Sequence, residues 1–275
     1  MKRLINLTPS PGLGFTLAVL PFLAAACLYL FMSMERHAQN PNDRLLPSGA
    51  QLLEGVRIVA IEPDKRTGDI ILWTDTEASL IRLGWGLGVS AVLGLSFGVL
   101  TGLFPYARSA FSPLIAVLSL IPPMAILPIL FLALGLDELS KIALIVLGIA
   151  PFIMRDLQNR VMEIPREQFI KAQSLGANSW QIILRIVLPQ VTPRLIDALR
   201  LSMGAAWLFL ISAEAIAAEQ GLGYRIFLVR RYMAMDIILP YVAWITLLAY
   251  ASDRFLWWLN RRSFPWLFHA ERNPP

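Results

Sequence analysis

The stretch "SLIRLGWGLGVSAVLGLSFGVLTGLF", residues 79–104, is an apolar run long enough to cross a bilayer as a helix. About 30 Å of hydrocarbon takes roughly 20 helical residues. Gly94, Gly98 and Gly102 recur every fourth residue, and Gly84 and Gly88 do the same one face earlier. Small residues at that spacing let helices approach closely in lipid. The stretch reads as a membrane span that packs against other spans.

Runs of the same kind lie on both sides of it. Six are readable: Leu13–Met34, Ser79–Phe104, Phe111–Leu136, Leu139–Met154, Leu195–Ile216 and Ile237–Leu259. The chain of 275 residues is 56% hydrophobic and 16% charged. A soluble domain averages about 45–50% and 25%. Alternation at barrel spacing does not recur. The expected fold is all-α: a polytopic membrane protein of about six transmembrane helices. The first run continues past Cys27, the single cysteine. It is longer than a signal core of about 7–15 residues, so it reads as an uncleaved anchor. One cysteine leaves no internal disulfide and no thiolate metal cluster.

Lysine and arginine set the orientation. Lys2, Arg3, Arg108, Arg155, Arg160, Arg166, Lys171, Arg185, Arg194, Arg261, Arg262 and Arg272 fall in pieces that six spans place inside, together with both termini, twelve against nine lysines and arginines in the outer pieces. The outer pieces hold many acids. The net charge of +5 follows from this bias. A nucleic-acid binder would want one coherent basic face, and none is visible. The expected organisation is a cytoplasmic N-terminus 1–12, a first transmembrane helix 13–34 and a periplasmic segment 35–78. A core transmembrane domain 79–259 follows, with a cytoplasmic loop 155–194, and then a cytoplasmic tail 260–275. Within the outer segment, "SGAQLLEGVRIVAI" (48–61) reads as a helix along the membrane surface between two turn-rich loops.

Two runs carry candidate pathway residues. In "SLIPPMAILPIL" (119–130), Pro122, Pro123 and Pro128 each remove a backbone donor. A broken helix at membrane depth is tolerated where protein or a water-filled cavity covers it. Pro122, Pro123 and the adjoining Met124 are candidates for a pathway wall; a simple kink is the alternative. In the fifth run Glu214 lies beside Ser212 and shortly after Trp207. Carboxylates in or at the edge of the membrane are costly and often functional, which makes these three the other pathway candidates. The alternative is a helix-end carboxylate held by the "GLGY" loop amides or by Arg225. Asp197 and Arg200, one turn apart, read as a structural ion pair.

The inner loop contains "KAQSLGANSWQIILRIVLP" (171–189). Pro165 suits the first turn of a helix through Arg166–Leu175. Gly176 fits a left-handed C-cap. Asn178 caps a second helix, with Gln181 reaching back in a capping box, and Leu188-Pro189 ends it. Trp180, Ile183 and Val187 form an apolar stripe. Nothing here is catalytic; the pattern is a rigid protrusion for another protein to grip.

Gly176, nine residues, Ile186, one residue and Leu188-Pro189 together resemble the EAA-loop signature of permease subunits of ATP-binding-cassette importers. Ile170 and Lys171 replace the usual Glu and first Ala, and Ala172 is kept. "AWLFLISAEAIAAEQGLGYRI" (206–226) resembles the nitrate/sulfonate/taurine/bicarbonate branch of that family, as do "GLDELSKI", the proline element and the "RRSFPW" tail. The resemblance implies a type I ABC importer permease fold in a bacterial inner membrane, surrounded by lipid. It implies that Lys171, Ala172, Gln173, Ser174, Leu175, Gly176, Ala177, Asn178, Ile186, Leu188 and Pro189 form the element that couples to a separate ATPase. ATP and Mg belong to that partner, and this chain binds no cofactor and is no enzyme. A second copy of the chain and an external solute-binding protein complete the implied assembly. The sequence agrees in lacking a G-x-x-x-x-G-K-[ST] phosphate loop.

The implied solute is an oxyanion or sulfonate, or a small nitrogen compound. "EPDKRTGD" followed by "TEASLIRLG" resembles a sub-branch associated with urea-carboxylase or guanidine metabolism. Rival readings are a secondary transporter, which would show two related halves, an intramembrane enzyme, and a membrane scaffold without an ATPase partner. No internal repeat and no nucleophile or metal set supports the first two.

Overall fold

The structure is a computed structural model and describes residues 9–40, 43–64 and 68–266. Lys2, Arg3 and Arg272, used above for orientation, lie outside them. The described elements are helical: α1 (Pro11–Gln39), α2 (Gly49–Ala60), α3 (Ile71–Leu103), α4 (Pro105–Leu118), α5 (Pro123–Leu134), α6 (Glu138–Met162), α7 (Arg166–Ser174), α8 (Ser179–Ile182), α9 (Leu188–Leu201), α10 (Met203–Ala217), α11 (Leu222–Arg230) and α12 (Met235–Ser263). They form two compact units, one from the described residues of Met1–Ile70 with Val229–Pro240, the other from Ile71–Leu228 with the described residues of Tyr241–Pro275.

In the first unit, Ser10 caps α1 by accepting the Leu13 N–H, and Pro11 opens the helix. Ser48 and Gln51 form a capping box at α2, the helix expected over 48–61. Tyr29 and Ser33 of α1 donate to the Pro47 carbonyl at 2.7 and 3.2 Å, and Arg36 pairs with Asp43. Gly55 is required because a Cβ there would strike the Asp236 backbone.

By length and composition, α1, α3 and α12 suffice to cross a membrane, and two bent pairs raise the number to five. The pairs are α4 with α5, bent by 97°, and the helical stretch Ser179–Leu201 with α10, bent by 49°. The remaining run of the six lies in α6, whose apolar face is the core of the second unit: Leu144, Ile145, Ile149, Ile153 and Leu157 are all buried.

The glycines explain how α6 sits. A Cβ on Gly86, Gly94, Gly98 or Gly102 would fall on Ile145, Ile153, Leu157 or Val161 respectively. Both series ascend at one fixed offset, so α3 and α6 run parallel in close contact. The chain between them must therefore return across the same thickness, so α4–α5 makes one net crossing. Gly84 and Gly88, by contrast, have nothing within 4 Å; only one of the two glycine faces packs within the chain. Gly94→Leu should cost about 1–3 kcal/mol by overpacking. It is expected to lower the thermal unfolding midpoint in detergent, and Gly84→Leu should leave that midpoint unchanged.

The other long helices are tied at both ends. Tyr241 and Trp244 of α12 reach Asp75 and Thr76 at the start of α3. At the opposite pole Asn260 donates to the Pro193 carbonyl and to Asp197 of α9, and Arg200 pairs with Asp253 and Asp197. Hence α12 runs parallel to α3 and antiparallel to α9–α10.

Three sequence expectations are corrected. The helix read from Ser79 starts at Ile71, so it is eight residues longer at its N-terminal end than the apolar run. The third run starts at Pro105 and is two helices, because Pro122 and Pro123 place an extended N-cap and a new first turn after Leu118. Leu188-Pro189 does not end a helix. Residues Ile183–Val187 form a π-helical turn in which the Leu188 N–H reaches the Ile183 carbonyl. The wider turn absorbs the donor that Pro189 lacks, and the helix continues as α9.

Candidate functional site

The hairpin between α6 and α9 is built by local chemistry. Pro165 sits at the N-cap of α7, one position before the expected first turn. At the other end the Ala177 N–H reaches the Ala172 carbonyl and the Gly176 N–H reaches that of Gln173, at 3.0 and 2.9 Å. Gly176 has φ +81°, the left-handed conformation that closes such a cap. Asn178 then accepts from the Gln181 N–H at 2.8 Å while Gln181 accepts from the Asn178 N–H at 3.0 Å. Gln190 donates to Gln168 and fastens α7 to α9.

No residue of α7 is buried. Ile170, Leu175 and Trp180 are exposed, Leu175 by 88%. These apolar side chains are held out on a rigid turn. Lys171 through Asn178 are gathered at this tip. Ile186, Leu188 and Pro189 are not; they lie half-buried at its root, beside the buried Ile182 and Val187. Trp180 points outward while Ile182 and Val187 point in, so the expected stripe divides between two faces.

The pathway candidates lie elsewhere. Pro122, Pro123 and Met124 form the α4–α5 break, where Leu120 and Met124 are exposed. Trp207 is buried, and its indole N–H has no acceptor among the described residues. The Ser212 hydroxyl donates back to the Leu208 carbonyl.

Glu214 is fully buried in a charged network that sequence reasoning only touched. Asp75, Ser79 and Arg82 line one face of α3. Ser79 donates to both Glu214 oxygens at 2.8 and 3.0 Å. Arg82 donates to Glu214 at 2.7 Å, to the Gln220 carbonyl at 2.8 Å and to Glu138. The Gly223 N–H gives Glu214 a further bond at 2.9 Å. Of the two alternatives, the loop amide holds Glu214 and Arg225 does not: Arg225 pairs with the buried Asp75, which also accepts from Tyr241 and from the Gly221 N–H. The Gln220–Gly223 loop is thus clamped onto α3. A Cβ at Gly221 would lie 2.6 Å from the Glu214 carboxyl carbon and 2.7 Å from Arg82, so the clamp closes only over glycine. The missed signal was polar residues at positions 75, 79 and 82, one helical face of an apolar helix.

The comparisons with known proteins agree with this geometry. The family of the binding-protein-dependent transport system inner membrane component matches residues 91–264. The chain is 34% identical over 227 residues to the taurine transport system permease protein TauC of Escherichia coli, covering 82% of this chain and 81% of that one. It is 28% identical over 229 residues to the bicarbonate transport system permease protein CmpB of Synechococcus elongatus, covering 78% and 81%. Its fold is shared, at TM-score 0.63 and 15% identity over 92% of this chain and 93% of the other, with a bacterial alginate ABC transporter crystallised in complex with an alginate pentasaccharide-bound periplasmic protein. The double-capped hairpin falls inside the matched residues, and the chain belongs to the inner membrane permease subunits of ATP-binding-cassette importers, in the nitrate/sulfonate/taurine/bicarbonate-type branch.

Proposed function

We propose that the chain forms the translocation path for a small sulfonate or related oxyanion, handed over by an external binding protein and driven by a separate ATPase that docks on the α7–α8 hairpin. The observation that carries the docking is the exposed trio Ile170, Leu175 and Trp180 on a turn rigidified at both sides. The lysine and arginine bias supports an inside position for that hairpin. The solute class is supported by the relatives' names, a taurine and a bicarbonate permease.

Two copies of the chain bring their pathway faces together. The α4–α5 break at Pro122, Pro123 and Met124, with Ser212 on α10, lines the path. Glu214 and Trp207 stand behind it, buried. The guanidine-type alternative rests on the sequence stretch ahead of α3. Proteoliposomes carrying the chain, its ATPase and its binding protein should accumulate labelled taurine only with ATP, and unlabelled sulfonates should compete. Competition by guanidinium without competition by any sulfonate or bicarbonate would reverse the assignment.

A further inference from the structure

At the root of the hairpin lies a cavity of about 370 Å³, between the ends of α3 and α6 and the near sides of α7 and α8. Its wall is mostly apolar, with Leu103, Phe104, Met162 and Phe169 among the lining residues and Gln173 and Ser179 as neutral polar ones. Its charged lining is purely cationic: Arg108 and Arg166 face it, and no Asp or Glu does.

Arg108 is half-buried and oriented. Its Nε donates to the Thr101 carbonyl at 2.9 Å and its Nη2 to the Gly102 carbonyl. These neutral groups at the α3 C-terminus steer the guanidinium and offset its charge only in part. Arg160, on the same end of α6, is paired with Asp156 and Glu163. Neither Arg108 nor Arg166 has a carboxylate partner among the described residues. Tyr106, next along the chain from Phe104, is 92% exposed. Aromatic rings of this kind gather at the headgroup level of a bilayer.

A mostly apolar wall beside an exposed tyrosine, closed by two guanidiniums without a carboxylate partner, matches one chemistry: an anionic headgroup with a hydrocarbon tail. We propose that this cavity holds an anionic phospholipid of the surrounding membrane. Its phosphate diester sits between Arg108 and Arg166, and an acyl chain lies against Leu103, Phe104 and Phe169. The inference rests on the hairpin's place at the cytoplasmic membrane surface. A bound lipid joins the end of α3 to α7, so the hairpin's anchorage depends on the anionic content of the bilayer.

The test uses the full chain purified in detergent, with neither ATPase nor solute, so it can fail independently of the transport reading. Native mass spectrometry compares retained phosphatidylglycerol and phosphatidylcholine. The chain should keep phosphatidylglycerol preferentially, and Arg166→Gln should weaken that retention about fivefold. Arg166 is chosen because Arg108 also caps α3. Arg194→Gln is the control, since Arg194 lines a different pocket that Glu163 shares; it should change nothing. Equal retention of the two lipids, or full retention in Arg166→Gln, overturns the proposal. So does displacement of the lipid by inorganic phosphate, which would make the cavity a site for a soluble anion.

Discussion

Arg82→Leu is expected to remove about 3–5 kcal/mol of stability, the cost of leaving a buried charge without its partner. Whole proteins hold about 5–15 kcal/mol in total, so most of the variant should aggregate on extraction while the parent elutes as one species. The reasoning is specific to Glu214. That carboxylate is fully buried and keeps only Ser79 and the Gly223 amide once the guanidinium is gone. Glu138 also loses Arg82, but its side chain is 58% exposed and water replaces the bond at little cost. Two comparisons isolate the cause. Glu214→Gln should be milder, because it removes the charge and keeps the shape. Arg82→Leu combined with Glu214→Leu should recover much of the loss, since neither member of the pair is then left alone. A single Arg82→Leu variant with the parent's unfolding midpoint would mean that the clamp does not hold the core.

Gly176→Val is expected to abolish most ATP-driven uptake without harming membrane insertion. No Cβ clash within the chain is involved, because nothing lies within 4 Å of that position. The cost is in the backbone: φ +81° is a conformation a β-branched residue adopts only under strain. Relieving the strain opens the turn between the two caps and moves Leu175 and Trp180 out of their fixed relation. The core helices are untouched, so the unfolding midpoint should stay near that of the parent while uptake in proteoliposomes falls. Ser263→Val at the end of α12 serves as the matched control and should transport normally.

What was legible in the sequence divides by distance along the chain. The hairpin was readable because its signals are local: a glycine at a helix end, and Asn178 three residues from Gln181. The α2 helix was read from its place between two turn-rich loops, and its capping box of Ser48 and Gln51 is a local signal of the same kind that was not used. The clamp was not. Ser79 and Arg82 find Glu214 at separations of 135 and 132 positions, and no spacing rule connects them. The sequence pointed to Glu214 and even to the loop amides, yet offered Arg225 where Arg82 stands. Pro189 misled for a different reason. A proline after an apolar run signals a helix end, and the chain instead widened one turn to keep the helix going. The glycine series was half legible: spacing marked two faces, and only packing told which one meets α6.

In the proposed function the α7–α8 hairpin couples this permease to an ATPase. The most direct test of that coupling is quantitative mass spectrometry of affinity-tagged parent and Gly176→Val chains purified from membranes together with the ATPase. The account predicts equimolar permease and ATPase, two of each, for the parent, and little ATPase with Gly176→Val despite equal permease yield. Parent and variant recovering the same amount of ATPase, with the same ATP-driven uptake, would contradict it.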